Sequence, residues 1–295
     1  MQLITITGGR TLHGRIRPAA AKNSVLPLLA ATLLCRTPSR LRAVPPLADV
    51  ATSLALLQSV GAKAERQGSD LFVAPGQDLQ GEIPDYLAGA MRSSVFYLAP
   101  LLCRVGEVRL PLPGGCKLGP RPVDIHLAGL AAMGAQVELE GIAVTLRRRG
   151  PLHGVDFALR LPSVGATMTL MMAATQAGGT TILRGAACEP EICDLANFLR
   201  ACGAHITGAG TPVVVIQGGK PLQGTAWTPL PDRIAAATYA AALACAGGEV
   251  TVTHCAPAYY AAFLDFLQAA GVDVARQDTT VTLARSPAQP LRGGQ

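Results

Sequence analysis

The apolar and polar positions of this chain follow one plan that occurs four times. In each repeat a helical apolar pattern rich in small residues leads into a short strand. A second helical pattern then ends at a glycine turn, and two short strands complete the repeat. The turn glycines are Gly61, Gly134, Gly203 and Gly271, spaced about 70 residues apart. Repetition at one period indicates a fold assembled from a single supersecondary unit, because each unit buries its apolar face against its neighbours.

The pattern predicts the first helix of each repeat at residues 22–34, 91–105, 164–177 and 233–246. Helices this rich in alanine have apolar residues on all sides, which is typical of buried helices. We therefore predict an α/β (α+β) fold, an inside-out α/β barrel of helix-strand-helix-strand-strand units with helices inside and sheets outside. A parallel doubly wound sheet is the alternative. The repeated order disfavours it, as does the absence of a Gly-x-Gly-x-x-Gly turn after the first strand.

Composition narrows the classes of function. Hydrophobic residues make up 49% of the 295 residues and charged residues 15%, which allows a large core. The net charge of +6 favours anionic small molecules; the basic run at residues 147–149 has no aromatic platform, so no nucleic acid is expected as a partner. No apolar stretch reaches about 18 residues, and the start resembles a strand and a turn. We therefore expect no membrane insertion, no signal peptide, a cytoplasmic location and reduced thiols.

Residues 113–126 are the stretch richest in candidate chemistry. Three glycines and three prolines among these 14 residues predict a shaped, exposed loop. Within it, Cys116 lies between Gly115 and Lys117, and Arg121 follows five residues later. Because nearby cations stabilise a thiolate, this pattern favours a reactive cysteine in a lid. The alternative is a polar turn with an incidental cysteine.

Several motifs, taken with the repeat, resemble those of the enolpyruvyl transferases; they lie at residues 21–23, 91–93, 113–126, 163–167 and 230–233. The string Pro-Gly-Gly-Cys-x-x-Gly-x-Arg-Pro-Val-Asp-x-His is specific for the branch that uses UDP-N-acetylglucosamine. The branch that uses shikimate 3-phosphate shares the fold without the cysteine loop and is the second choice. The resemblance implies an EPSP-synthase-like fold and transfer of the enolpyruvyl group of phosphoenolpyruvate to the 3-hydroxyl of UDP-N-acetylglucosamine, in peptidoglycan precursor synthesis. It also implies that no metal or organic cofactor is needed.

The resemblance also assigns roles to individual residues. Cys116 is similar to the general acid that protonates the methylene carbon of phosphoenolpyruvate, and Lys22 to the cation that holds this substrate, so both are expected to be catalytic. One departure concerns Leu161, which occupies the position of a family lysine near the diphosphate. For Ser163 the alternative is a plain helix N-cap. The residues expected to bind substrate are Lys22, Asn23, Arg92, Arg121, Pro122, Val123, Asp124, Ile125, Ser163, Val164 and Gly165.

Some residues of the third repeat have spacings that suggest a metal site: Cys188, Cys193, Cys202 and His205. Cys193 and Cys202 are nine residues apart on one predicted helix and therefore turn to different faces. We expect these residues to serve packing and to hold no metal.

The family fold has two domains of three repeats each, whereas four repeats are recognisable here. We therefore expect a complete three-repeat domain at residues 22–228 and an incomplete second domain, with one repeat, at residues 1–21 and 229–295. One repeat cannot bury its own apolar face. Three hypotheses follow: an incomplete or shortened transferase, a nucleotide-sugar-binding remnant without turnover, and an inactive fragment that self-associates through the incomplete domain.

Overall fold

The chain divides into two compact units: a central unit, residues 22–230, and a terminal unit, residues 1–21 together with 231–295. The computed structural model describes residues 3–5, 7–111 and 123–293. The helices among these residues are α1 (Lys22–Ala31), α2 (Ala48–Ser59), α3 (Asp85–Ala90), α4 (Leu98–Val105), α5 (Asp124–Ala132), α6 (Val164–Gln176), α7 (Pro190–Ala201), α8 (Arg233–Ala246) and α9 (Ala261–Ala269).

The strands of the same residues are β1 (Leu12–Ile16), β2 (Ser39–Leu41), β3 (Lys63–Gln67), β4 (Asp70–Ala74), β5 (Glu107–Pro111), β6 (Gln136–Glu140), β7 (Ala143–Arg147), β8 (Asp156–Ala158), β9 (Thr180–Arg184), β10 (His205–Thr207), β11 (Val213–Gln217), β12 (Ala226–Trp227), β13 (Gly248–Thr253), β14 (Asp273–Gln277) and β15 (Thr280–Arg285). Short 3-10 helices follow α1 at Thr32–Leu34 and precede α4 and α9 at Arg92–Tyr97 and Pro257–Tyr260. The predicted order of helix, strand, helix, strand, strand is confirmed in all four repeats.

The sheets of the central unit join its three repeats into a closed arrangement. Their strand orders are β12-β2-β4-β3, β5-β7-β6 and β10-β11-β9-β8. Pairing is antiparallel except at two edges, where β12 pairs in parallel with β2 and β8 pairs in parallel with β9. Because β12 comes from the end of the unit and β2 from its beginning, their pairing brings the third repeat back to the first.

Burial shows that the helices of the central unit lie inside and the sheets outside. In α1 every residue from Ser24 to Ala31 is buried, and α6 is buried from Ala166 to Thr175. A helix that is apolar all round must be surrounded by protein. In β4, by contrast, Leu71 and Val73 are fully buried while their neighbours are half-exposed, so one face of the sheet packs inward. The predicted inside-out arrangement is therefore confirmed.

The glycine turns of the repeats have the backbone conformation that the pattern requires. Gly61, Gly134, Gly203 and Gly271 have φ values of +94°, +102°, +108° and +98°. At the first of them, the N–H of Gly61 donates to the carbonyl of Gln58 and closes the end of α2. A residue with a Cβ is strained in this left-handed region, which explains why each helix of this type ends at glycine.

The prediction of a single helix at residues 91–105 is wrong. The structure has a 3-10 helix at Arg92–Tyr97 and then α4. Pro100 lies in the first turn of α4, where its missing N–H is tolerated. The sequence pattern also missed β8 and β12, which have only three and two residues and carry no alternation that identifies a strand.

The terminal unit contains one repeat and the added strand β1, in a sheet of order β1-β13-β15-β14. Its core lies between this sheet and the helices α8 and α9, with Leu243, Val252, Leu264 and Leu283 buried. Other apolar side chains of the two helices are exposed, among them Ile234 and Phe266.

Candidate functional site

The first residues of α1 place a cation at a helix N-terminus. Lys22 and Asn23 are exposed, whereas the helix is buried from Ser24 onwards. Lys22 Nζ lies 2.9 Å from Oδ2 of Asp49, which is in the first turn of α2. Ion pairs this exposed contribute little to stability, so the ammonium group can exchange its partner for another anion at small cost. The helix dipole favours an anion at the same place.

The N-terminus of α6 is formed by Ser163, Val164 and Gly165. Ser163 is the N-cap, and its Oγ accepts a hydrogen bond from the N–H of Ala166 at 3.3 Å. The N-cap alternative for Ser163 therefore describes its geometry correctly. The first N–H groups of a helix have no partner within the helix, so Val164 and Gly165 can direct theirs at a bound anion.

The N-terminus of α5 carries a charged pair. Asp124 is the first residue of the helix, and its Oδ2 accepts hydrogen bonds from Nη2 and Nε of Arg160, at 2.6 and 3.2 Å. This guanidinium holds the pKa of Asp124 below its ordinary value. The neighbouring residues differ in exposure: Val123 is half-buried, and Ile125 has its side chain in the core. Only the backbone of Ile125 is therefore well placed to meet a ligand.

His126 connects α5 to α6 and is the residue whose role the sequence analysis missed. It is 5% exposed, and neither ring nitrogen has a hydrogen-bond partner among the described residues. A methyl group built on Gly165 would lie 2.8 Å from Nε2 of His126, so the ring packs directly on the start of α6. Burial, together with the nearby Arg92 guanidinium, lowers the pKa of His126 to about 4. The ring is therefore neutral near pH 7 and can donate or accept a hydrogen bond.

These contacts bring most of the predicted residues into two neighbouring groups of the central unit. One group consists of Lys22 and Asn23 on α1, next to α2. The other consists of Arg92, the start of α5 and the start of α6, joined through His126. The 3-10 helix that Arg92 begins packs against both α1 and α6. The arrangement collects cations and helix N-termini, which suits a ligand with more than one anionic group.

Three of the predicted residues, Cys116, Arg121 and Pro122, lie outside the described residues. Before them the described chain reaches Pro111 at the end of β5, and after them it resumes at Val123, next to α5. The roles of a general acid for Cys116 and of a phosphate ligand for Arg121 stay predictions.

The cysteines of the third repeat have separate surroundings. Cys202 is buried, with its Sγ 3.7 Å from Sγ of Cys35, while Cys188 is exposed. His205 Nε2 lies 2.9 Å from Nζ of Lys220. Across residues 3–5, 7–111 and 123–293, no three His, Cys, Asp or Glu side chains are grouped so that they could hold a metal ion. Nor, in that part of the chain, does any helix combine the length and apolar character that crossing a membrane requires.

Comparison with known proteins relates the chain to one family. Residues 6–294 match the family model for EPSP synthase (3-phosphoshikimate 1-carboxyvinyltransferase). Similar proteins include the UDP-N-acetylglucosamine 1-carboxyvinyltransferases of Cellvibrio japonicus (42% identity, 98% of this chain, 69% of the relative) and Desulfovibrio desulfuricans (41%, 99% and 70%). The enzyme of the same name from Photorhabdus laumondii is 43% identical over 93% of this chain and 65% of its own length. The chain therefore spans about two thirds of the length of these relatives, between 65% and 70%.

Solved structures show the same fold. The enolpyruvyl transferase NikO from Streptomyces tendae has a TM-score of 0.81 at 25% identity, over 97% of this chain and 68% of its own. EPSP synthase from Acinetobacter baumannii has a TM-score of 0.75 at 17% identity, over 94% of this chain and 65% of its own. The resemblance seen in the sequence is confirmed by these comparisons.

Proposed function

The chain belongs to the EPSP synthase family, and on this premise we propose that it serves the transfer of the enolpyruvyl group of phosphoenolpyruvate to the 3-hydroxyl of UDP-N-acetylglucosamine. The observation that carries the proposal is 41–43% identity, over 93–99% of the chain, to relatives named for that acceptor. Similarity to the solved EPSP synthase is 17% in sequence and supports the fold alone. The reaction releases phosphate and belongs to peptidoglycan precursor synthesis. Its proposed place is the cytoplasm.

We assign Lys22 to phosphoenolpyruvate and Asn23 to the sugar end of the site. Phosphoenolpyruvate carries a carboxylate and a phosphate, and the ammonium group of Lys22 stands at the N-terminus of α1, where a second favourable field acts on an anion. In the free protein the carboxylate of Asp49 forms an ion pair with this ammonium group. On binding, the phosphate replaces or joins that carboxylate.

We assign the diphosphate and the nucleotide to the second group of residues. The first N–H groups of α6, those of Val164 and Gly165 behind the Ser163 cap, suit a diphosphate oxygen. Arg92 adds a guanidinium, whose planar fork matches two oxygens. Segment 121–125, with Arg121, Pro122, Val123, Asp124 and Ile125, completes this part of the site.

A cation is available where the family lysine is replaced by Leu161. Arg160 precedes this position, and its guanidinium lies next to the start of α5 through Asp124. Arginine keeps its charge at any physiological pH and binds phosphate oxygens in pairs. Arg160 is therefore the residue that we expect to supply the missing charge.

Cys116 is assigned to proton transfer. In the proposed reaction its thiol protonates the methylene carbon of phosphoenolpyruvate. The 3-hydroxyl of the sugar then adds to the carbon that carries the phosphate and gives up its proton. Phosphate leaves with that proton while the new methyl group returns a proton to the thiolate, which restores the carbon–carbon double bond. The cations at Lys117 and Arg121 in the same loop favour the thiolate that remains after the proton has left.

The test is phosphate release from phosphoenolpyruvate, measured with and without UDP-N-acetylglucosamine. We compare the wild-type chain with Lys22→Gln and with Lys63→Gln, which removes an exposed lysine on β3. One charge-assisted contact contributes about 1.5–3 kcal/mol, so Lys22→Gln should lower kcat/KM by roughly 10- to 160-fold while the control stays near wild type. Binding of the nucleotide-sugar without any phosphate release would favour a binding remnant. Concentration-dependent oligomers with neither property would favour the self-associating fragment.

A further inference from the structure

Asp194 is a buried carboxylate that the proposed reaction does not use. It lies on α7 with 5% of its surface exposed. Its Oδ2 accepts hydrogen bonds from Ser24 Oγ and, at 3.4 Å, from the N–H of Leu230, while Oδ1 accepts one from Nε1 of Trp227 at 2.9 Å. Burial raises the pKa of Asp194, and these hydrogen bonds oppose the rise. A carboxylate is buried at considerable cost unless such donors surround it.

The three donors come from two segments, one at the beginning and one at the end of the central unit. Ser24 is the third residue of α1 and directly follows Lys22 and Asn23. Trp227 lies on β12, the strand that closes the ring of repeats, and Leu230 is the last residue of the central unit. One side chain therefore connects the first turn of α1, α7 and the closing strand.

The tryptophan is itself held in place by a second contact. The ring of Trp227 meets that of Phe198 edge to face, with the centroids 6.3 Å apart and the planes at 71°. Phe198 is on α7, one turn after Asp194. The hydrogen bond and the ring contact together fix the indole on α7, so the indole limits how far the carboxylate can move.

We propose that Asp194 is a positioning residue for the substrate site. Through its hydrogen bond to Ser24, Asp194 holds the first turn of α1, and with it Lys22 and Asn23. This inference rests on the proposed function. Its physical basis is that the first turn of a helix lacks internal hydrogen bonds for its N–H groups and is the part most easily displaced. A bond from this turn to a buried group on another helix removes that freedom. A small displacement of a substrate-binding cation is enough to weaken binding.

The decisive comparison is between two hydroxyl deletions on the same run of helix. Ser24→Ala breaks the bond to Asp194 and leaves Trp227 in place. Thr32→Val is the matched control, because Thr32 is also fully buried and its Oγ1 bonds to the carbonyl of Leu29. The two sites are eight residues apart, about 12 Å along the helix. Each variant loses one buried hydroxyl and one hydrogen bond; Ser24→Ala should lose more stability, because it removes a donor from a buried carboxylate.

The kinetic readout separates positioning from general destabilisation. We expect Ser24→Ala to raise KM for phosphoenolpyruvate about 5- to 10-fold with little change in kcat, because the displaced Lys22 binds the substrate less well. Thr32→Val should leave KM unchanged. Asp194→Asn should retain most of the binding, since the amide oxygen can accept from Trp227 while its NH₂ donates to Ser24, and only the long hydrogen bond from the N–H of Leu230 is lost. Asp194→Leu should not.

Binding can be followed directly through Trp227, which is the single tryptophan of the chain. Phosphoenolpyruvate and then UDP-N-acetylglucosamine are titrated into each variant while the emission of this residue is recorded. A wild-type chain that binds and turns over, with equal KM values in Ser24→Ala and Thr32→Val, would overturn the positioning role alone. A wild-type chain that neither binds nor releases phosphate would overturn the proposed function and the positioning role with it.

Discussion

Acidification should lower the stability of the protein by an amount that follows from the burial of His126. The ring is buried against Gly165 with no hydrogen-bond partner among the described residues, and Arg92 is nearby. These conditions lower its pKa from 6.5 to about 4. Each unit of difference between the folded and unfolded states corresponds to about 1.4 kcal/mol. Protonation of His126 should therefore lower the free energy of unfolding by about 3 kcal/mol in full.

The sign follows from proton binding in the two states. Above pH 6.5 the ring is neutral in both, and the stability associated with it is fully present. As the pH falls below 6.5, the unfolded chain binds a proton that the folded chain does not accept until about pH 4. Stability is therefore lost progressively across this window.

The assay is denaturant unfolding of the wild type and of His126→Gln at pH 7.0 and at about pH 4.5. All other titrating groups are shared by the two proteins. The change with pH in the difference between their unfolding free energies therefore reports on His126. We expect the difference in unfolding free energy to move by about 2–3 kcal/mol in favour of the variant at the lower pH. A difference that stays constant within about 0.5 kcal/mol would show that the imidazole is hydrated or paired, and would refute the reasoning.

Two further predictions concern the helix N-termini. Gly165→Ala places a methyl group 2.8 Å from Nε2 of His126 and should lower the free energy of unfolding by about 1–3 kcal/mol, measured by thermal unfolding. The control is Gly89→Ala, whose methyl group meets nothing within 4 Å and which should be neutral or stabilising. Equal effects of the two substitutions would contradict the packing of His126 on Gly165. Asp49→Asn removes the carboxylate next to Lys22 and should tighten phosphoenolpyruvate binding about two- to fivefold in calorimetry, by about 0.5–1 kcal/mol. Weaker binding would mean that Asp49 is needed to orient the lysine.

The repeat could be predicted from the sequence because its signals are local. The turn at Gly61 and the helix starting at Lys22 depend on residues within a few positions of each other, and both are found in the structure. The two-residue strand β12 could not be predicted, because Trp227 enters a sheet only through pairing with Leu41, far away in the sequence.

In the candidate site, too, the residues in short motifs could be predicted and the contacts between distant residues could not. Lys22 and Ser163 were recognisable because each belongs to a short motif at the start of a helix. The packing of His126 on Gly165 could not be predicted, because it joins residues 39 positions apart on different helices. The role of Asp194 could not be predicted either, because its partner Ser24 is 170 residues away. Such contacts depend on how the helices pack inside the ring of sheets, which no local pattern reports.

The most direct measurement is to incubate the chain with phosphoenolpyruvate and UDP-N-acetylglucosamine and to quantify phosphate and nucleotide-sugar by mass spectrometry. The account predicts equal amounts of phosphate and of a nucleotide-sugar carrying an enolpyruvyl group, and neither product with Cys116→Ala. Phosphate released without the sugar, or the same yield from Cys116→Ala, would contradict it.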